Sequence, residues 1–246
     1  ALGLNHATAP LDLRGRFTFG PERLAPASEN CRMSNAPFLP LLLTIIEAVG
    51  TLAFALSGLL EAARKRLDAV GVCLVAGLAA FGGGTLRDVL LDRRPFVWVA
   101  HSEWLWVLLA LCIAAMAFLR ARHFAPTEKA MQWPDALGLG LFSATGTQLA
   151  LAQDLPGIVA VLMGVITATF GGVLRDVVCN EIPTAFSDHR PYAICAFIGG
   201  WVLVLAQHAG LAASLALVLG AACATGLRVA ALLTGFTLPR WSSGDA

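Results

Sequence analysis

The sequence has few charged residues, and this shortage is its most informative feature. Only 13% of the 246 residues are charged and 57% are hydrophobic, whereas a soluble domain carries roughly 25% charged residues. The mean hydropathy is +0.73. The composition therefore excludes an ordinary soluble domain and predicts an integral membrane protein, with the lipid bilayer as its surroundings.

Other shortages exclude classes of function. The net charge is only +1, so the charge balance indicates no nucleic-acid partner. The six cysteines include no CxxC pair and the five histidines are scattered, so we expect no metal site and no cofactor. The sequence also lacks a nucleophile motif and a nucleotide-binding loop, which argues against an enzyme.

Apolar stretches long enough to cross a bilayer, which takes about 20 residues, dominate the rest of the chain. They cover residues 38–60, 68–91, 101–120, 135–153, 155–180, 191–208 and 210–233. The sequence therefore predicts an all-α membrane protein with seven transmembrane helices. Residues 1–37 are polar and rich in proline, and we expect them to form a disordered N-terminal tail.

The basic residues predict an orientation. The joints "EAARKRLD" (61–68) and "RARHFAPTEKAMQWP" (120–134) are basic, whereas the joints after the fourth and sixth stretches contain no Lys or Arg. The positive-inside rule places the basic joints in the cytoplasm, which gives an outside N-terminus and a cytoplasmic C-terminus. Arg93 and Arg94, in the joint after the second stretch, oppose this orientation.

The chain contains an internal repeat with an offset of 88 residues. Glu47–Pro95 aligns without a gap with Asp135–Pro183, and 15 of the 49 aligned positions are identical. The offset covers three stretches, and an odd number inverts the second copy in the membrane. We therefore expect two inverted three-helix repeats, at 38–125 and 133–208, plus a seventh helix at 210–233. In such proteins the transport path lies at the repeat interface.

A glycine motif occurs once in each repeat, as "FGGGTLRDVLLDRRP" (81–95) and "TFGGVLRDVVCNEIP" (169–183). Each glycine costs about 1 kcal/mol in a helix interior relative to alanine. The motif therefore predicts that the second and fifth helices are broken or kinked and line a polar path. Close helix packing is the alternative, because small residues also let helices approach. The residues concerned are Gly82, Gly83, Gly84, Gly171 and Gly172.

An arginine and an aspartate follow the glycines in both copies: Arg87 and Asp88, then Arg175 and Asp176. Sequence neighbours on a helix do not face one another, so each residue needs a different partner. The twin motif offers one. The alternative is that the long side chains reach the membrane surface.

Other polar residues are candidates for lining the path. Glu47 lies within the first helix, where a carboxylate is costly unless it faces the interior or water. Asp135, its counterpart, is either a second such residue or an acid at a helix N-terminus. The hydroxyl candidates are Thr51, Ser57, Ser143, Thr145, Thr147 and Thr169. Hydroxyls also bond back to their own helix, which is the alternative for each. Arg228 is expected to reach the cytoplasmic surface.

"GTLAFALSGLLEAARKRLDAVGV" (50–72) and the two glycine motifs resemble the bacterial trimeric intracellular cation (TRIC) channel family. Some members of this family are described as glycine transporters. The resemblance implies a homotrimer in the bacterial inner membrane, with an hourglass pore inside each protomer. It also implies kinks at the glycines and a monovalent cation, chiefly potassium, as the substrate. No cofactor is implied.

Two functions remain open from the sequence. A channel needs a continuous wet path with weak sites. A secondary transporter of a small amino acid such as glycine needs gates around a midplane site, which inverted repeats also provide.

Residues 2–27 resemble something else, the extreme N-terminus of glutamyl-tRNA reductase. Nothing after them fits that enzyme, so we expect a misassigned start or a fusion scar and carry over no activity.

Overall fold

The computed structural model describes residues 38–122, 128–187 and 190–237, and the expected disorder of residues 1–37 lies outside this range. The described residues form nine helices. They are α1 (Phe38–Arg64), α2 (Ala69–Leu90), α3 (Val97–Ala100), α4 (Glu103–Arg122), α5 (Glu128–Leu151), α6 (Gly157–Val178), α7 (Thr184–Ser187), α8 (Ala193–His208) and α9 (Ala213–Thr234).

Each of the seven predicted stretches coincides with one long helix. The largest difference is at α5, which begins at Glu128 instead of 135 and contains Pro134. The short helices α3 and α7 fall in predicted joints, where four residues are too few to show a hydrophobic period. By length and composition, four helices of the described chain are able to cross a membrane, namely α1, α2, α6 and α9. The chain is thus an all-helical protein with several candidate spans.

The repeat is visible in the local backbone. Among the described residues, four other than glycine adopt a left-handed conformation, and they form two pairs 88 positions apart: Arg66 with Asp154, and Asp92 with Asn180. Asp and Asn tolerate this conformation better than most residues. Asp92 lies just after α2 and Asn180 just after α6, where the backbone turns away from the helix. The two copies therefore share their helix ends as well as their residues.

Glycines bring α2 and α6 into close contact. A Cβ atom on Gly83 would lie 2.0 Å from the carbonyl oxygen of Thr167, and one on Gly171 would lie 2.4 Å from that of Ala79. The two contacts are equivalent, because at the offset of 88 Gly83 corresponds to Gly171 and Ala79 corresponds to Thr167. Residue numbers rise along α2 as they fall along α6, so the two helices cross in antiparallel order. Small residues four apart permit this approach.

Helices α1 and α5 cross with the same reciprocity. A Cβ on Gly50 would lie 2.7 Å from the ring of Phe142, and one on Gly138 would lie 2.8 Å from the ring of Phe54. The two rings pack with their centroids 5.3 Å apart. Both crossings therefore show the self-complementary pattern of a local twofold relation, in which residue i meets j and j meets i.

The predicted breaks at the glycines are wrong. Helix α2 runs without interruption through Gly82–Gly84, and α6 through Gly171 and Gly172. Glycine keeps its backbone hydrogen bonds in a helix, and here its missing side chain is used for helix contact. The close-packing alternative therefore describes Gly83 and Gly171. A bend within an unbroken helix remains a prediction.

Helix α9 lies outside the two repeats and packs on the second. A Cβ on Gly140 of α5 would lie 2.0 Å from Oγ1 of Thr225, and one on Gly199 of α8 would lie 2.6 Å from Cβ of Ala224. The contacts of α9 therefore go to α5 and α8. The second repeat is covered by a helix for which the first repeat has no counterpart among the described residues.

We predict that Gly83→Ala destabilises the protein by about 1–3 kcal/mol, because its new methyl group overpacks against a backbone carbonyl. The matched control is Gly226→Ala in α9, where an added Cβ meets nothing within 4 Å. Thermal unfolding in detergent measures both. Equal unfolding temperatures for Gly83→Ala and the unaltered protein would refute the packing role of this glycine.

Candidate functional site

The first repeat contains a buried cluster of charges, here called the first cluster: Glu47, Arg87 and Asp88. Arg87 Nη1 lies 2.6 Å from Glu47 Oε1, and Arg87 Nε donates to Asp88 Oδ1 at 2.9 Å. The side chain of Arg87 is only 2% exposed, whereas that of Glu47 is 22% exposed. Arg93, after α2, adds a longer contact of 3.5 Å to Asp88 Oδ1.

The second cluster holds the equivalent residues, Asp135, Arg175 and Asp176. Arg175 Nη1 lies 2.6 Å from Asp135 Oδ1, and Arg175 Nε donates to Asp176 Oδ1 at 2.7 Å. Arg175 also donates to the hydroxyl of Ser57 in the first repeat. The backbone N–H of Thr184 in α7 donates to Asp176 Oδ2 at 2.8 Å. Every charge in this cluster therefore has a partner.

Three expectations about these charges are wrong. Each arginine does bond to the aspartate that follows it, because its long side chain bends back so that Nε reaches the neighbouring carboxylate. The arginines also do not extend to the surface of the protein, since Arg87 is 1% exposed and Arg175 is fully buried. The twin motifs do not supply each other's ion pairs. The acidic partner lies 40 positions earlier in the same repeat, at Glu47 or Asp135.

A cavity opens beside the first cluster. Its volume is about 30 Å³, room for a water molecule, and its lining includes Glu47, Thr51, Gly84 and Arg87. Glu47 and Thr51 also line an adjoining vestibule of about 280 Å³. Its lining further includes Trp104, Arg93 and several apolar residues. The two spaces share Glu47, Thr51, Phe81 and Val97 in their linings, so they lie side by side next to the buried ion pair.

The second cluster has less open surroundings. Leu139 stands where the first repeat has Thr51, and its side chain is fully buried. It packs with Tyr192, which is 3% exposed, in an apolar group next to the cluster. The side chain of Asp135 is 4% exposed, against 22% for Glu47. The equivalent ion pairs therefore differ in their access to water.

A third cavity of about 130 Å³ reaches Asp176 from the end of α6, and its lining includes Glu61 and Glu181. Glu61 is 1% exposed and forms two bonds to Arg64 in the same helix. Glu181, just after α6, forms an ion pair with Lys65, just after α1. The hydrogen bond and positive charge of Lys65 hold the pKa of the Glu181 carboxyl below its usual value.

The predicted hydroxyl candidates do not converge on one site. Thr51 lines the first cavity and the vestibule, and Ser57 lies in the second cluster. The other four donate to carbonyl groups: Ser143 to Ala196 of α8, and Thr145, Thr147 and Thr169 to residues of their own helices. Of the described chain, no group of three or more His, Cys, Asp or Glu is arranged to hold a metal ion.

Sequence reasoning missed Tyr192 and misplaced Arg228. Arg228 does not reach the surface: it is 1% exposed, and its Nη1 donates to the carbonyl of Pro191 at 2.9 Å. Its guanidinium lies 4.8 Å from the centroid of the Tyr192 ring. The missed signal was the offset of 88, which pairs Tyr192 with another aromatic residue, Trp104.

Comparisons with known proteins match most of the chain. A family model described as "Glycine transporter" matches residues 44–122 and 132–208. A "UPF0126 membrane protein" of Vibrio cholerae is 34% identical over 206 residues, which cover 82% of this chain and 83% of that protein. The UPF0126 inner membrane protein YadS of Escherichia coli is 36% identical over 163 residues, 66% of this chain and 78% of that one.

Solved structures with the same fold are cation channels. The TRIC trimeric intracellular cation channel orthologue from Rhodobacter sphaeroides is 34% identical, with a TM-score of 0.72 over 79% of this chain and 98% of that one. A prokaryotic TRIC channel solved in 0.5 M KCl has a TM-score of 0.74 at 28% identity, over 81% and 100% of the two chains. The resemblance stated from the glycine motifs is thus confirmed.

The glutamyl-tRNA reductase resemblance is confirmed as a short partial match. A stretch of 36 residues is 58% identical to the enzyme of Polaromonas naphthalenivorans and covers 8% of it.

We predict that Arg175→Met lowers the free energy of unfolding by about 3–5 kcal/mol, because two buried carboxylates lose their counter-charge. The control is Arg93→Met, whose side chain is 40% exposed, and which should cost less than about 1 kcal/mol. Unfolding in mixed detergent and dodecyl sulfate micelles measures the difference. Similar losses for the two variants would contradict the buried role of Arg175.

The Glu181–Lys65 pair predicts a small pH dependence of stability. Because the pKa of Glu181 is lowered on folding, its contribution is present above the usual value of 4.5 and is lost as pH falls through the folded value. The unfolding temperature of Glu181→Gln should therefore lie below that of the unaltered protein at pH 7. The gap should close as pH falls below about 4.5; a gap that is constant with pH would refute the pair's contribution.

Proposed function

This chain belongs to the family whose model is described as "Glycine transporter" and whose relatives carry the name UPF0126, and we propose that it is a channel for monovalent cations, chiefly potassium. The observation that carries the proposal is the charge of the two clusters. Each contains two carboxylates and one buried guanidinium, a formal charge of −1 per cluster, and the half-exposed Arg93, 3.5 Å from Asp88, offsets this charge only at the first cluster. Fixed negative charge along a wet path attracts cations and repels anions.

The cavities supply the path in this proposal. The vestibule and the first cavity lead water to the first cluster, and the third cavity reaches Asp176 of the second cluster. The pore runs inside the protomer between the two repeats, where α1, α2, α5 and α6 cross. The solved channels that share this fold support the assignment.

The membrane arrangement that goes with the proposal has seven transmembrane helices: α1, α2, α4, α5, α6, α8 and α9. The antiparallel crossings support two inverted triplets, with α9 as the seventh helix. Helix α5 is the most polar of them, but its hydroxyls are buried among neighbouring helices and bonded to carbonyl groups, so it does not expose them to lipid. The N-terminus lies outside, the C-terminus lies in the cytoplasm of a bacterium, and the protein is a homotrimer.

Transport of a small amino acid such as glycine is the second candidate. The description of the family model favours it. The difference between the open first cluster and the enclosed second cluster also suits a carrier that opens to one side at a time.

The test is single-channel recording of purified protein in planar bilayers with potassium chloride on both sides. We expect discrete unitary currents and, in a salt gradient, a reversal potential that shows cation preference. A silent bilayer from folded protein, combined with uptake of labelled glycine into proteoliposomes, would replace the channel with the transporter.

We predict that Glu47→Gln reduces potassium conductance severalfold and weakens cation preference, because it removes the negative charge nearest the vestibule. Asp154→Asn is the matched control, since it removes an exposed carboxylate from a joint and tolerates the same backbone conformation. An unchanged reversal potential in Glu47→Gln would show that this carboxylate does not select the ion.

A further inference from the structure

The two repeats place the same glycine in different surroundings. A Cβ atom on Gly84 would meet only Arg87 Nη2, at 3.9 Å, and the space beside it is the first cavity. A Cβ on Gly172 would meet the hydroxyl oxygen of Tyr192 first, at 3.2 Å, and then Asp135 Oδ1 at 3.6 Å. The space that is a cavity beside the first cluster is therefore occupied by Tyr192 beside the second.

Trp104 is the counterpart of Tyr192. The offset of 88 continues into α4 and α8, because their contacts with α2 and α6 are equivalent. Cys112 contacts Cys73 in the first repeat, and Gly200 lies against Val161 in the second, where a Cβ would be 3.0 Å from Val161. In this register Trp104 corresponds to Tyr192. Trp104 lines the vestibule and leaves the space beside Gly84 empty.

Helix α9 accounts for the difference between the two aromatic residues. Arg228 of α9 donates to the carbonyl of Pro191, and its guanidinium lies over the Tyr192 ring at 4.8 Å. A cation over an aromatic face is attractive, and more so away from water. Arg228 thus fixes both the backbone before Tyr192 and the ring itself. Within the ranges that the structure describes, no helix packs on the first repeat as α9 packs on the second, and no cation is held over Trp104 in this way.

The Tyr192 hydroxyl makes this position costly to maintain. Its oxygen is buried close to the Asp135 carboxylate, yet it forms no hydrogen bond of ordinary geometry with the part of the chain that the structure describes. A buried hydroxyl whose interaction with its neighbour falls short of ordinary hydrogen-bond geometry recovers less than it lost in bonds to water. The inward position of Tyr192 therefore depends on packing and on Arg228, and outward movement would let the hydroxyl regain water.

We propose that Tyr192 and Arg228 form a gate that closes the path at the second cluster, while the equivalent point at the first cluster, beside Trp104, is open. Movement of Tyr192 away from Gly172 opens the second side. Arg228 is a positioning residue that sets how readily this happens. The proposal rests on the proposed function only to the extent that a transport path passes both clusters, and it applies to a channel and to a carrier alike.

Thiol labelling tests the gate without requiring transport. In a background whose six native cysteines are replaced, Thr51→Cys and Leu139→Cys place equivalent thiols beside the first and second clusters. A charged, water-soluble methanethiosulfonate reagent is added to each protein in detergent. We expect Thr51→Cys to react at least about tenfold faster than Leu139→Cys, because the open form of the second side is a minor state. Equal rates would overturn the proposal.

Gate variants are then combined with Leu139→Cys. Tyr192→Ala and Arg228→Met should each speed its labelling severalfold. Tyr192→Phe keeps the ring and should leave the thiol protected. Trp104→Ala is the matched control, an aromatic deletion at the equivalent position, and should also leave it protected. Size-exclusion chromatography and circular dichroism establish which variants fold.

Continued protection of Leu139→Cys in a folded Tyr192→Ala or Arg228→Met protein would overturn the gate, as would equal acceleration by Trp104→Ala. Two independent opening variants keep the test decisive if one of them fails to fold. Bilayers provide a separate readout: Tyr192→Ala should raise the open probability severalfold, whereas Trp104→Ala should not. Absence of current with the predicted labelling would refute the channel while leaving the gate in place.

Discussion

A guanidinium that is removed from water needs carboxylates within hydrogen-bonding distance, and much of this structure follows from meeting that need twice. Arg87 and Arg175 are each held by one acid on the preceding long helix of the repeat and one on the next residue. A buried charge without such partners would cost several kcal/mol. The helices that carry the partners, α1 with α2 and α5 with α6, are therefore fixed in register as well as in packing.

Close backbone contact makes this arrangement possible. Gly83 and Gly171 let α2 and α6 approach until a glycine of one helix lies against a carbonyl of the other. In lipid, helices gain little from hydrophobic association, so contact through small residues and polar bonds determines which faces meet. The bond from Arg175 to Ser57 adds a polar link between the repeats at the same interface. Packing and charge neutralisation thus occur in one region.

The helix order and the repeat could be predicted from the sequence because both depend on local patterns. Long apolar stretches and matched Gly, Arg, Asp and Pro positions need no knowledge of side-chain direction. The partners of the charges could not be predicted in the same way. The pairing of Arg87 with Glu47, 40 positions earlier, depends on how α1 and α2 are rotated about their axes. The bond to Asp88 depends on the rotamer of the arginine. The role of Gly83 was ambiguous for a related reason, since a missing side chain permits either a bend or a contact. Tyr192 was not predicted because its role depends on a difference between the two repeats, whereas the sequence comparison looked for identical residues.

The reciprocal crossings have a consequence for the origin of the chain. In each crossing, when a residue of one repeat meets a residue of the other, the counterparts of these two residues also meet, as Gly50 with Phe142 and Gly138 with Phe54 do. A surface that is complementary to its own copy is what two identical half-length chains would use to associate about a twofold axis in a membrane. In such an ancestor every mutation at the interface would have appeared on both sides at once. A single chain that carries both halves is free of that constraint, so that Thr51 and Leu139, or Trp104 and Tyr192, can differ and the two ends of the molecule can take different tasks.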